Sequence, residues 1–143
     1  MLIVVTAFVA AILSVLGTLL MEKAAVMTSV FGGFLRLTLS KNPGVAFGLL
    51  LPYPLQEILI TIALLTMFVF AYKKRHSRFS SLGFGLILGG AIGNLIDRFP
   101  DGLVTDYFAV GTFPVFNIAD ACIVVGAGML LMQSMKKESI LPR

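Results

Sequence analysis

The sequence predicts a membrane all-α fold: four transmembrane helices with a small extracytoplasmic β-sheet between helices one and two. Three observations predict it. Of 143 residues, 58% are hydrophobic and 13% charged, with a mean hydropathy of +0.99, so a water-soluble globule would expose too much apolar surface. Uncharged runs over residues 1–21 and 79–96 approach the roughly 20 residues that carry a helix across about 30 Å of hydrocarbon. Between the first two apolar runs lies a segment that alternates apolar with polar residues, the period of a half-buried strand.

The first span is expected at about 2–21. A cleaved signal peptide would need a basic start, a shorter apolar stretch and a small-residue cleavage site, and would leave a chain starting near Ala24. No Lys or Arg precedes Glu22 and the run is long, so a retained helix is expected. The apolar runs 58–72 and 121–135 are shorter. Each lengthens if the residues just before it form an interfacial first turn, which gives spans at about 55–72 and 117–135, with the remaining span at 79–97. All four are assigned to one domain, 1–143.

Orientation follows from the basic residues, because short cytoplasmic loops collect Lys and Arg. Lys73, Lys74, Arg75 and Arg78 crowd the link between spans two and three, and Lys136, Lys137 and Arg143 follow span four. Both segments are expected in the cytoplasm, and four crossings then place both termini inside. Residues from 22 to about 54 and from 98 to about 116 lie outside. The net charge of +4 is thus a topology signal, with attraction to the membrane surface a secondary effect, and it offers little support for nucleic-acid binding.

In the first outer segment, Leu35-Arg36-Leu37-Thr38-Leu39-Ser40 alternates, Asn42-Pro43-Gly44 makes a turn because Pro fixes one dihedral and Gly accepts positive φ, and Val45-Ala46-Phe47 can extend again. A small sheet on the outer leaflet and a lid over the helix ends satisfy this period equally. In span three, Gly85, Gly89 and Gly93 recur every four residues, with Gly90 and Asn94 forming a neighbouring pair. Small residues at that spacing let membrane helices approach closely. Asn94 lies about one turn from the outer end, where its amide needs a partner; structural hydrogen bonding and substrate contact meet that need alike. Asp97 and Arg98 are expected to form a local charge network that holds the outer loop.

Two carboxylates stand out in so apolar a chain, since an ionisable residue at a membrane boundary usually has a function. Asn117-Ile118-Ala119-Asp120 reads as an N-cap followed by an acidic residue at N3, both favourable at a helix start. Asp106 sits in the extended, apolar stretch Leu103-Val104-Thr105-Asp106-Tyr107-Phe108, where no capping role is apparent. The connector between them is long enough to bring the carboxyls of Asp106 and Asp120 together. Two such groups in a poorly hydrated site cannot both ionise easily, so they share a proton and titrate as a unit, the device of aspartic proteases.

The runs Asn42-Pro43-Gly44-Val45-Ala46-Phe47, Gly89-Gly90-Ala91-Ile92-Gly93-Asn94-Leu95-Ile96-Asp97-Arg98, Gly102 and Val104 ahead of Asp106, and Phe116-Asn117-Ile118-Ala119-Asp120 together resemble the bacterial lipoprotein signal peptidases, the type II signal peptidases. The resemblance covers most of the chain from Asn42 onward. It implies a membrane aspartic endopeptidase of the bacterial cytoplasmic (inner) membrane. Such an enzyme cleaves the signal peptide from prolipoproteins before a diacylglyceryl-modified cysteine, with its active site at the extracytoplasmic face. Carried over by position, Asp106 and Asp120 are the catalytic pair, while Asn42, Gly44, Asn94, Arg98 and Asn117 are supporting or substrate-binding residues. The implied partners are diacylglyceryl-modified prolipoproteins and membrane lipid, with no nucleic acid, metal or cofactor. One departure concerns the Asp-Gln-x-x-Lys pattern of the family's first helix: here the stretch reads Leu19-Leu20-Met21-Glu22-Lys23. Only the lysine remains, although Glu22 could approach the same region from another face.

A small four-helix transporter using Asp97 and Asp120 as coupling carboxylates is the alternative. With span three centred near Leu88, Asp97 lies about 13 Å from the midplane at about 1.5 Å per residue, whereas carriers place such groups near the midplane. A Cys–His dyad is excluded, because His76 falls in the cytoplasmic loop and Cys122 near the outer end of span four. Ser40 with Lys41 is disfavoured because neighbours on a strand point to opposite faces. No His or Cys cluster exists to bind a metal.

Overall fold

A computed structural model describes residues 1–24, 28–30, 33–44, 55–74 and 77–138. The elements in chain order are α1 (Leu2–Ala24), β1 (Thr28–Val30), β2 (Leu35–Asn42), α2 (Leu55–Lys74), α3 (Arg78–Arg98), β3 (Val104–Val110) and α4 (Ile118–Glu138). Among the described residues, three helical stretches are long and apolar enough to cross a membrane, Leu2–Ala24, Arg78–Arg98 and Ile118–Lys136; the apolar stretch of α2, Ile58–Ala71, is shorter. Phe8, Leu20 and Leu131 are 65%, 67% and 63% exposed, so the outward faces of α1 and α4 are oily and suited to hydrocarbon.

The central element is α3, and its glycines explain why. A Cβ on Gly85, Gly89 or Gly93 would come within 2.6 Å of Thr6, Ala10 or Ser14 on α1. On another face of α3, Gly83 and Gly90 lie against Gly126 and Ala119 of α4. The stripe expected from the four-residue spacing is therefore real but serves α1, while a second set of small residues serves α4, both within one chain. Ala71 of α2 packs with Phe84 and Leu88 of α3, flanked by Ile3, Ala7, Leu64, Met67 and Leu130. Ser77 caps α3 through a capping box with Ser80 and donates to Gln133 Oε1 of α4 at 2.8 Å.

The sheet is antiparallel in the order β1-β2-β3. It does not lie wholly between the first two helices as the sequence suggested. Its third strand comes from the segment between α3 and α4, because β2 needs a partner for its second edge and α3 delivers β3 beside it. The reading that Val45-Ala46-Phe47 extends again lies outside the described residues.

A register shift interrupts β2. Leu37 pairs with Phe108 and Ser40 with Asp106, so three steps on β2 match two on β3. A bulge of this kind inverts the alternation beyond it. Leu39 is consequently exposed, while Ser40 and Asn42 turn inward and Lys41 outward.

Candidate active site

Asp106 lies in the middle of β3 and is only 2% exposed. Its two neighbours anchor the strand on the opposite side, where Thr105 and Tyr107 are each 1% exposed. Tyr107 Oη accepts the Ile118 N–H at 3.4 Å and fills the space that a side chain at Gly17 would need. Asp106 therefore points away from α1, toward the end of α4.

Its carboxylate accepts two amide donors, Asn42 Nδ2 at 3.0 Å on Oδ2 and Asn117 Nδ2 at 2.9 Å on Oδ1. Both amides are held in that sense by their other ends. Asn42 Oδ1 accepts the Gly44 N–H at 2.8 Å, closing the Asn-Pro-Gly turn, and Asn117 Oδ1 accepts the Asp120 N–H at 3.0 Å as the cap of α4. Gly44 thus serves a hydrogen-bonded turn; among the described residues, the glycines at positive φ are Gly33, Gly102 and Gly111. The Gly44 carbonyl in turn accepts from the buried Arg98 guanidinium.

The chain of amides continues to the second carboxylate. Asn117 Nδ2 also donates to Asn94 Oδ1 at 3.1 Å, and Asn94 Nδ2 donates to Asp120 Oδ1 at 2.8 Å. The Asn117 N–H reaches Asp120 Oδ2 at 3.4 Å. Asp106 and Asp120 are joined through Asn117, with Asn94 a second link from Asn117 to Asp120. Of the residues expected at the site, Asn42, Gly44, Asn94, Asp106, Asn117 and Asp120 are all brought together, and Arg98 closes the loop beside them.

Burial disfavours charge on Asp106, and the Asp120 charge adds to that; together they outweigh the donors of Asn42 and Asn117 and the Arg98 guanidinium, and push its pKa up to about 6. A carboxyl with that value keeps its proton to much higher pH than an exposed aspartate.

Behind β3 lies a second polar group that sequence reasoning assigned only in part. Asp97, expected to hold the outer loop, accepts the Thr105 N–H at 2.6 Å. Glu22 accepts Lys41 Nζ at 2.9 Å and Thr105 Oγ1 at 3.3 Å, and Lys41 also pairs with Asp101 at 3.3 Å. Glu22 thus reaches the residue next to Asp106 but from the far face of the strand. Glu22, Lys41, Asp97 and Asp101 border a cavity of about 270 Å³ between the C-terminal ends of α1 and α3. Ser40 pairs with Asp106 in register, whereas Lys41 turns to the opposite face, so the two do not form a dyad. Cys122 is half-buried and unpaired, His76 lies outside the described residues, and the described residues hold no metal-ligating cluster.

The family model for signal peptidase (SPase) II matches residues 2–136. The chain belongs to the signal peptidase II family. A lipoprotein signal peptidase of Halothermothrix orenii is 39% identical over 125 residues, covering 85% of this chain and 86% of the relative. One of Syntrophomonas wolfei is 40% identical over 108 residues, covering 73% of this chain and 70% of the relative. A solved structure described as a bacterial membrane enzyme, at 1.9 Å, superposes with a TM-score of 0.83 at 26% identity, covering 94% of this chain and 92% of that one. Membership of the signal peptidase II family, with three apolar helices, makes the chain a multi-pass integral membrane protein. These likenesses give the transporter alternative no support.

Proposed function

We propose that this chain is a membrane aspartic endopeptidase that removes the signal peptide from prolipoproteins by cleaving before the diacylglyceryl-modified cysteine, with Asp106 and Asp120 as the catalytic pair. The observation that carries the assignment of residues is the amide chain that joins these two carboxyls in a site where one of them is 2% exposed. Family membership and relatives named lipoprotein signal peptidase support the reaction.

Asp106, whose burial pushes its pKa up to about 6, and Asp120, in the first turn of α4, share one proton and act as a pair. The ionised carboxylate takes a proton from water as the oxygen attacks the scissile carbonyl, and the protonated partner donates to the developing oxyanion. The C–N bond then breaks: the leaving nitrogen takes the proton that the pair gained from water, a hydroxyl of the tetrahedral diol returns its proton to the emptied carboxylate as the carbonyl re-forms, and the pair is again singly protonated. No covalent intermediate forms. Asn42, Asn94 and Asn117 hold the carboxyls in place, while Arg98 holds the Gly44 carbonyl and so fixes the Asn-Pro-Gly turn that orients Asn42.

The basic residues Lys73, Arg78 and Lys136 stand at the helix ends remote from the site, which supports cytoplasmic termini and an extracytoplasmic site in the bacterial inner membrane. In this arrangement α2 is the fourth crossing, extended by its first turn, all four helices form one domain, and membrane lipid surrounds the lipid-modified substrate. The deciding experiment incubates the purified protein with a diacylated precursor peptide and its unlipidated counterpart. Cleavage of only the diacylated peptide is expected; cleavage of neither, or of both equally, would overturn the reading.

A further inference from the structure

Resting on that assignment of the catalytic pair, we infer that Asp97 is a positioning residue of the reaction, acting as a substitute strand that holds the edge of β3 away from β2 beside Asp106. The sheet order leaves β3 with one edge that β2 does not cover. Backbone N–H groups along such an edge need partners when they are buried. Two of them flank Asp106: the Tyr107 N–H is taken by the Phe116 carbonyl at 3.0 Å, and the Thr105 N–H by Asp97 Oδ2 at 2.6 Å.

The side-chain bonds at this point are weaker. Thr105 has a single hydroxyl proton to share between Glu22 Oε1 at 3.3 Å and Asp97 Oδ1 at 3.4 Å, both long for an O–H donor. The short bond to the main chain is therefore the one that sets the height of β3, and it acts one residue from the reacting carboxyl. A carboxylate acceptor makes it charge-assisted, which shortens and strengthens it.

Asp97 also sits on the turn of α3 that holds the other parts of the site. Asn94 donates to Asp120 on α4, Arg98 donates to the Gly44 carbonyl after β2, and Asp97 between them receives β3. One rigid helical turn thereby sets the separation of the two carboxyls from both sides. Positional errors near 1 Å at a reacting group cost about 100-fold in rate, so the third contact has a kinetic consequence and not only a structural one.

The test compares Asp97→Ala, Asp97→Asn, Asp97→Glu and Asp106→Asn in the full-length detergent-purified protein, with kcat and KM measured on a diacylated precursor peptide. Asp97→Ala is expected to lower kcat about 10- to 100-fold with KM nearly unchanged. Asp97→Asn, which still offers Oδ1 to the Thr105 N–H, is expected to recover most of kcat. Wild-type kcat in Asp97→Ala would overturn the inference, as would a loss in Asp97→Asn equal to that in Asp97→Ala. Should Asp97→Ala fail to accumulate in the membrane, Asp97→Glu decides: moving the acceptor by one methylene is expected to lower kcat, and a wild-type value would overturn the inference. Turnover by Asp106→Asn would sink the catalytic assignment itself; an inactive Asp106→Asn beside a fully active Asp97→Ala would sink the positioning role alone.

Discussion

Asn117→Ala removes the residue through which the two carboxyls are joined, and its consequences can be worked from three contacts. The cap on the Asp120 N–H is lost, at about 1 kcal/mol. The buried acceptor Asp106 Oδ1 and the partly buried Asn94 Oδ1 lose the Nδ2 donor that they share, and leaving a buried acceptor short of a donor costs about 1–3 kcal/mol. Together these amount to about 2–4 kcal/mol, a large fraction of a typical stability of about 5–15 kcal/mol. At about 3 °C per kcal/mol for a chain of this size, the midpoint of thermal unfolding in detergent falls by roughly 6–12 °C.

The same change alters the pH dependence. The Asn117 donor lowers the pKa of Asp106 from what burial and the Asp120 charge would otherwise impose, so its loss raises that pKa above about 6. Deprotonation of Asp106 empties the pair of its shared proton, and activity falls as pH rises through that value. The alkaline limb of kcat/KM therefore moves to higher pH in the variant, even as the maximum rate drops. Asn117→Ser separates the two effects, because serine caps a helix nearly as well as asparagine but reaches neither acceptor: part of the stability returns, while the shifted pH limb stays. An Asn117→Ala protein that unfolds at the wild-type temperature, or a pH limb identical in all three proteins, would refute this account of Asn117.

Three further outcomes are expected. Asp106→Asn and Asp120→Asn each abolish cleavage of a diacylated precursor while the protein still accumulates in the membrane, scored by gel shift and membrane fractionation; wild-type turnover would remove that residue from the catalytic pair. Gly89→Ala destabilises by about 1–3 kcal/mol, the usual cost of overpacking, because its Cβ would meet the Ala7 carbonyl and Ala10. Gly128→Ala on α4, with nothing within 4 Å, is neutral or stabilising by about 0.5–1 kcal/mol, and thermal unfolding of the two variants side by side tests the contrast. Ser40→Ala and Cys122→Ala leave the rate of precursor cleavage largely intact, since among the described residues neither side chain is hydrogen-bonded to a group that could activate it as a nucleophile; a large loss in either would reopen that question.

The candidate site shows how far local signals reach. Asp106 and Asp120 stand out in the sequence because ionised groups are rare in so apolar a chain, and Asn117 because it precedes a helix. What no local pattern shows is that Asn117 and Asn94 form a line of amides between the carboxylates while Asn42 holds Asp106 from β2, since those residues lie on different elements and each amide could as well have faced a backbone group. The bulge in β2 was equally hidden: Leu35, Leu37 and Leu39 read as one unbroken face, and only pairing with β3 shows that the phase inverts before Asn42. Glu22 and Asp97 were recognised as charges near the outer boundary, but their shared contact with Thr105 depends on where β3 docks.

The amino-acid order alone determined the membrane class, the positions of the helices, one strand and the acidic pair, because hydrophobic run length, alternation and the rarity of charge in oil are properties of neighbouring residues. Tertiary structure decided which segments complete the sheet, which glycine face meets which helix and how three asparagines hold the aspartates. Those outcomes depend on close helix packing around α3, whose last turn brings β2, β3 and the start of α4 together, and such long-range placement is set by the summed fit of many surfaces and by no single stretch of chain.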